Sequence, residues 1–167
     1  SAIISDTLIF RSPTCTEMDR EAGKALAEIA GINIKEHAHE MFFAGSNISE
    51  KTAKELFTGD FKRFSIGDTT FGIGQVSCMD GEELDQVKKK VMTYMKEQYK
   101  SLGVNMLYFM LTDIIKPGTE LLCVGDGAME LVERAFGVQG SDDVVYLPGV
   151  VSRKKQVVPE IMMEITQ

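Results

Sequence analysis

One run of six uncharged residues, Met106-Leu107-Tyr108-Phe109-Met110-Leu111, constrains the fold most. It is the longest apolar run in the chain, too short to span a bilayer, and its length suits a buried strand. Further strands are predicted over Leu121 to Val124 and Val144 to Leu147, with the first run extended back to Val104. Phe64, Ile66, Phe71, Ile73 and Val76 flank Gly67-Asp68-Thr69-Thr70 and read as a β-hairpin. Gly72 and Gly74 inside it mark either a bulge or a close approach of another backbone. Helical spacing separates these strands. Leu84, Val87, Val91, Tyr94, Met95 and Tyr99 predict a long helix from about Gly81 to Ser101, closed by Gly103. A shorter helix is predicted from Met129 to Phe136. This alternation gives the fold class α/β, a mixed β-sheet covered by helices.

The first part of the chain reads as helical. Residues 2–10 are a buried strand or a helix end, and so short an apolar run does not decide between them. Thr16 with Asp19 three residues on forms a capping-box variant. Ala22, Leu26, Ile29 and Ala30 follow as an apolar stripe, and Gly31 fits the residue after a helix end. A second helix is predicted from Lys35 to Phe43, stopping at Gly45, and a third from Ser49 to about Phe57. Beyond the Pro148-Gly149 turn no element is assigned.

Composition narrows the function classes. A chain of 167 residues with 44% hydrophobic and 26% charged residues has the make-up of an ordinary globular protein with one sizeable core. No secretory leader is legible at Ser1. Cys15, Cys78 and Cys123 match neither a disulfide framework nor a zinc pattern, which predicts reduced thiols in a cytoplasmic protein. A net charge of −7 argues against nucleic acid or membrane as the main partner.

Against that acidic background stands Ser152-Arg153-Lys154-Lys155-Gln156-Val157-Val158-Pro159. Three consecutive cations attract an anion locally against the overall field. An arginine fork beside a lysine point charge suits phosphate oxygens. The plainer reading of an arbitrary Arg-Lys-Lys is a solvated basic turn.

This string resembles the C-terminal signature of the family II, manganese-dependent inorganic pyrophosphatases. Ser1 to Thr16, with Asp6-Thr7-Leu8 and Arg11-Ser12-Pro13-Thr14, is similar to the segment closing that family's N-terminal DHH domain. Asp60-Phe61-Lys62-Arg63-Phe64 resembles its short lysine-bearing segment. The three matches come in family order and span nearly the whole chain. The resemblance implies a fold, that of the DHH-associated C-terminal domain, and a division into residues 1–14, a stub of the catalytic domain with its linker, and 15–167, the substrate-binding domain. It implies that Asp6 is a metal ligand and that Lys62, Arg153 and Lys154 bind substrate, with Lys155 adjacent in an undefined role.

The implied activity of the full-length enzyme is hydrolysis of diphosphate to two orthophosphates, with Mn2+, or Co2+ or Mg2+, as cofactor. The implied partners are diphosphate, phosphate and the N-terminal DHH domain, with a homodimer of the full-length enzyme as a further expectation. The family's His-x-x-x-x-x-Asp-x-Asp run and its Asp-His-His triplet are not in this chain. The fragment alone is therefore expected to be inactive and to hold no metal stably. Two other readings stay open: the equivalent domain of an exopolyphosphatase-like DHH phosphoesterase, and a non-catalytic anion-binding module.

The remaining motifs read as structural. Val124-Gly125-Asp126-Gly127 before a helix is a tight connection, because it lacks the full dinucleotide fingerprint and the P-loop ending. His37 and His39, two apart, face apart on a helix and do not chelate together. Met41, Met106, Met110, Met162 and Met163 fit core filling.

Overall fold

The computed structural model describes all 167 residues except Ser46, Asn47, Ser49, Met79 and Asp80. It divides into two compact units, Ser1–Asn47 and Ile48–Gln167.

The first unit holds three helices, α1 (Ala2–Asp6), α2 (Glu17–Ala30) and α3 (Ile34–Gly45). The opening apolar stretch is thus a helix, and Asp6 is its last residue. Leu8, Ile9 and Phe10 follow with φ of 49°, 57° and 64°, a left-handed turn built of non-glycine residues. Such a conformation costs roughly 1–2 kcal/mol per residue. Hydrogen bonds from the Ile9 amide to the Ile4 carbonyl and from the Ser12 amide to the Thr7 carbonyl, 2.9 and 2.8 Å, hold it. The turn lays the Phe10 ring on Gly23 of α2, where an added Cβ would meet the ring at 2.6 Å.

The capping box at the start of α2 is formed as the sequence predicts. Thr16 Oγ accepts from the Asp19 amide, and Asp19 accepts from the Thr16 amide and hydroxyl. These bonds, the backbone one first, hold the Asp19 carboxyl below the usual carboxylate range. The buried face of α2 differs from the predicted stripe. Gly23 and Ala27 are buried, whereas Leu26 and Ile29 are 57% and 83% exposed. The helix packs through its smallest residues, which is what close approach by the Phe10 ring requires.

The second unit is a five-stranded sheet. The helix α4 (Ala53–Gly59) leads into β1 (Lys62–Ile66) and β2 (Thr69–Cys78), then α5 (Gly81–Gln98), β3 (Met106–Asp113), β4 (Gly118–Val124), α6 (Ala128–Phe136) and β5 (Val144–Pro148). A π-helical turn, Arg153–Val157, and α7 (Val158–Ile165) complete it. The expected cap at Ser49 lies outside the described residues; Thr52 and Glu55 form a capping box at α4.

The strands lie in chain order, β1-β2-β3-β4-β5. Only β2 and β3 are parallel, joined by the α5 crossover, and the other pairs are antiparallel. Both faces are covered. Phe71, Ile73, Tyr108, Met110, Leu121 and Val145 pack under α6 and α7. Leu107, Phe109, Leu111 and Leu122 pack under α4 and α5. This explains the uninterrupted apolar run of β3, whose alternate residues serve opposite cores.

Gly72 and Gly74 mark no bulge, since the pairing register runs through them unbroken, and what approaches them most closely is not another backbone but aromatic rings. A Cβ on Gly74 would meet the Phe109 ring at 2.5 Å, and one on Gly72 would strike the Phe61 ring. Among the described residues, no helix is long and apolar enough to cross a membrane.

Candidate anion-binding site

The site grows from the junction of α4 and β1. Asp60 caps α4, and Lys62 opens β1 two residues later. Lys62 pairs with Ile73 across the hairpin, as Phe64 pairs with Phe71. Directly opposed residues of an antiparallel pair project to the same face. Ile73 and Phe71 belong to the core beneath α7, so Lys62 projects on that face too. Its side chain is exposed and makes no hydrogen bond or ion pair among the described residues.

The basic block arrives on the same face. The π-turn is wider than an α-turn, a form frequent at functional sites. Its start is held by side chains: Ser152 Oγ accepts from the Lys155 amide, and Gln156 Oε1 accepts from the Val151 and Ser152 amides at 3.0 Å each. Gln156 Nε2 donates to the Gly149 carbonyl. Val157 and Val158 then enter the core beside Ile73.

This anchoring drives Arg153 inward. It is 7% exposed, so it is no solvated basic turn residue. Nη1 donates to the Asp60 carbonyl at 2.6 Å and to the Ile73 carbonyl at 3.1 Å. Nη2 forms a 2.6 Å charged bond to Asp60 Oδ1. The carbonyl acceptors are therefore the pairing partner of Lys62 and the residue two before it. Arg153 and Lys62, distant in sequence, meet at one corner of one face. Lys154 lies next on the turn, exposed. Of Lys62, Arg153 and Lys154, only Arg153 has an ion-pair partner among the described residues.

Asp6 belongs to the other unit, where it is exposed at the end of α1. Among the described residues, no group of three or more His, Cys, Asp or Glu is arranged to hold a metal ion. One exposed carboxylate does not make a metal centre, so these residues alone do not fit one. His37 bonds Ser1 Oγ at 3.0 Å and joins no such group. The Gly125-Asp126-Gly127 link is a tight strand-to-helix connection, with Gly125 at φ 121° and an added Cβ meeting the Asn105 carbonyl at 2.6 Å.

Sequence reasoning missed Asp60, the Ile73 carbonyl and Gln156. The contact between Asp60 and Arg153 spans 93 positions, which no local spacing reveals. The one available signal was the acidic residue opening the Asp60-Phe61-Lys62 segment.

Comparison with known proteins places the chain in a family. A DHHA2 domain model matches residues 39–163. A probable manganese-dependent inorganic pyrophosphatase of Clostridium acetobutylicum is 46% identical over 165 residues, 99% of this chain and 53% of that protein. The cobalt-dependent inorganic pyrophosphatase of Clostridium perfringens is also 46% identical, over 99% of this chain and 30% of its own length. A crystal structure of a Methanococcus jannaschii protein assigned to the family II inorganic pyrophosphatases superposes with a TM-score of 0.85 at 42% identity, covering 99% of this chain and 54% of that one. The chain thus spans about half the length of most of the curated relatives it matches. With that domain model matching most of its length, the chain belongs to the DHHA2 domain family, and it shares its fold with a protein assigned to the family II inorganic pyrophosphatases.

Proposed function

We propose that the protein carrying this chain hydrolyses inorganic diphosphate to two orthophosphates, and that this chain supplies the clamp for the anion. The observation that carries the reading is the convergence of Lys62 and the Arg153-Lys154 turn on one corner of one sheet face. The names of the relatives support the substrate.

In this reading Arg153 offers paired donors to phosphate oxygens, while Lys62 and Lys154 act as point charges. Water attacks one phosphorus, the bridging P–O bond breaks, and the second phosphate leaves. Negative charge redistributes over the non-bridging and leaving oxygens, and the fixed cations stabilise it more strongly there than in the ground state. Manganese, or cobalt or magnesium, belongs to the part of the enzyme beyond this chain, with Asp6 as a single contributed carboxylate. When bound, such a metal supplies an activated water. Residues 1–14 close the catalytic DHH domain in this scheme. Their compact packing with α2 and α3 supports extending that stub to the end of the first unit. The same reading includes a cytoplasmic location and a homodimeric full-length enzyme.

The test is steady-state diphosphate hydrolysis by the full-length enzyme carrying Arg153→Ala or Lys62→Ala, against Lys100→Ala as a surface control. Loss of the Arg153 contact is expected to cost about 2–4 kcal/mol of transition-state stabilisation, roughly 30- to 1000-fold in kcat/KM. Arg153→Lys recovers only part of it, because an ammonium has no planar fork. Unchanged kinetics for Arg153→Ala would remove it from the site.

A further inference from the structure

A guanidinium carries five N–H donors on a rigid plane. In Arg153 three of them are engaged. Both Nη1 protons go to the Asp60 and Ile73 carbonyls, and one Nη2 proton goes to Asp60 Oδ1. Asp60 therefore chelates the end of the fork with its own carbonyl and its own carboxylate. The donors left over are Nε–H and the second Nη2–H, which lie parallel along the neighbouring edge. That edge is itself a bidentate match for two oxygens of one phosphate. Among the described residues neither donor has a protein acceptor, and no buried side-chain nitrogen lacks a partner, so Nε reaches solvent.

The geometry points to Asp60 as a positioning residue for the anion site: it clamps one edge of the Arg153 guanidinium so that the other edge faces the phosphate. The inference rests on the reading of Arg153 as a diphosphate contact. An arginine on an exposed turn would lose rotamer freedom on binding the anion. Here the fork is already buried and oriented, so that ordering is complete before substrate arrives. The same clamp shows why lysine is a poor replacement, since one ammonium does not reproduce both the two-point grip on Asp60 and a second paired edge. Asp60 owes its place to α4, which ends at Gly59 and turns its cap residue toward Arg153.

A double-mutant cycle in the full-length enzyme tests this. Asp60→Ala, Asp60→Asn, Arg153→Ala and the Asp60→Ala/Arg153→Ala double variant are compared for kcat, KM and Tm. Asp60→Ala is expected to lower kcat/KM about 10- to 100-fold, with Asp60→Asn recovering part, because an amide oxygen still accepts one bond. In the Arg153→Ala background, Asp60→Ala is expected to cost less than about twofold, since nothing is left to position. Additive losses, or a lowered Tm with unchanged kinetics, overturn the positioning role while Arg153 keeps its place as an anion contact. Wild-type kinetics for Arg153→Ala overturn the underlying reading instead. Should Asp60→Ala fail to fold, the same cycle run with Asp60→Asn decides by the same criterion of additivity.

Discussion

At the scale of single residues, the proposed reading gives Arg153 two jobs that can be separated experimentally. Its Nη1 and Nη2 donors hold the Asp60 carbonyl, the Ile73 carbonyl and the Asp60 carboxylate, and in that reading its side edge serves an anion. Removing the side chain takes a donor from the buried Ile73 carbonyl, so Arg153→Met is expected to destabilise the fold by about 1–3 kcal/mol. Urea denaturation of wild type and variant measures this independently of activity. Thiol reactivity is a second residue-level check. Cys78 and Cys123 are 2% exposed, Cys78 donates to Glu83, and burial pushes the Cys123 thiol well above its ordinary value. Cys15 is half-buried. A thiol reagent is therefore expected to modify Cys15 first in the native chain, with Cys78 and Cys123 following only on unfolding. Faster labelling of Cys123 than of Cys15 would contradict the burial. The basic block was legible in the sequence as a chemical type, but the inward path of Arg153 was not. That path depends on a carbonyl and a carboxylate 93 positions away.

At the scale of elements, signals confined to a few neighbouring residues read well. The Thr16–Asp19 box, the left-handed Gly31 and the β3 run each follow from local chemistry. The buried face of α2 did not read well, because Gly23 and Ala27 are too small to register as an apolar stripe beside Leu26 and Ile29. Nor did the π-turn, whose wide pitch matches no helical spacing and is set by Ser152 and Gln156. Gly74 illustrates what packing adds to propensity. Gly74→Ala forces a methyl into the Phe109 ring, which is already held against Phe57 at a centroid distance of 5.9 Å. The expected cost is about 1–3 kcal/mol, read as a lowered Tm, and a neutral result would contradict the close approach. The capping boxes set a pH dependence. Asp19 and Glu55 are held below their ordinary values by bonds from Thr16 and Thr52. Their folded-state values lie below the unfolded ones. Their stabilisation is thus present above the unfolded carboxylate value and is lost as pH falls through the folded one. Glu55→Gln is expected to flatten the acid side of the stability curve relative to wild type.

At the scale of the whole molecule, the two units differ in how much they bury. The sheet unit has a core on each face, whereas the first unit buries only Ile4, Ala27 and Ala38 among its described hydrophobic residues. Residues 48–167 expressed alone are expected to unfold cooperatively, and residues 1–47 alone are not, because so small a segment has too little apolar area to offset chain entropy. Circular dichroism melts of the two segments check this. The central claim is a division of labour, with the anion clamp in this chain and the metal-dependent chemistry requiring ligands from outside it. Phosphate release from diphosphate, measured for the purified 167-residue chain and for the full-length enzyme with manganese supplied, tests it most directly. The account predicts release by the full-length enzyme and none above buffer from a folded 167-residue chain; metal-dependent release from the chain alone would contradict it.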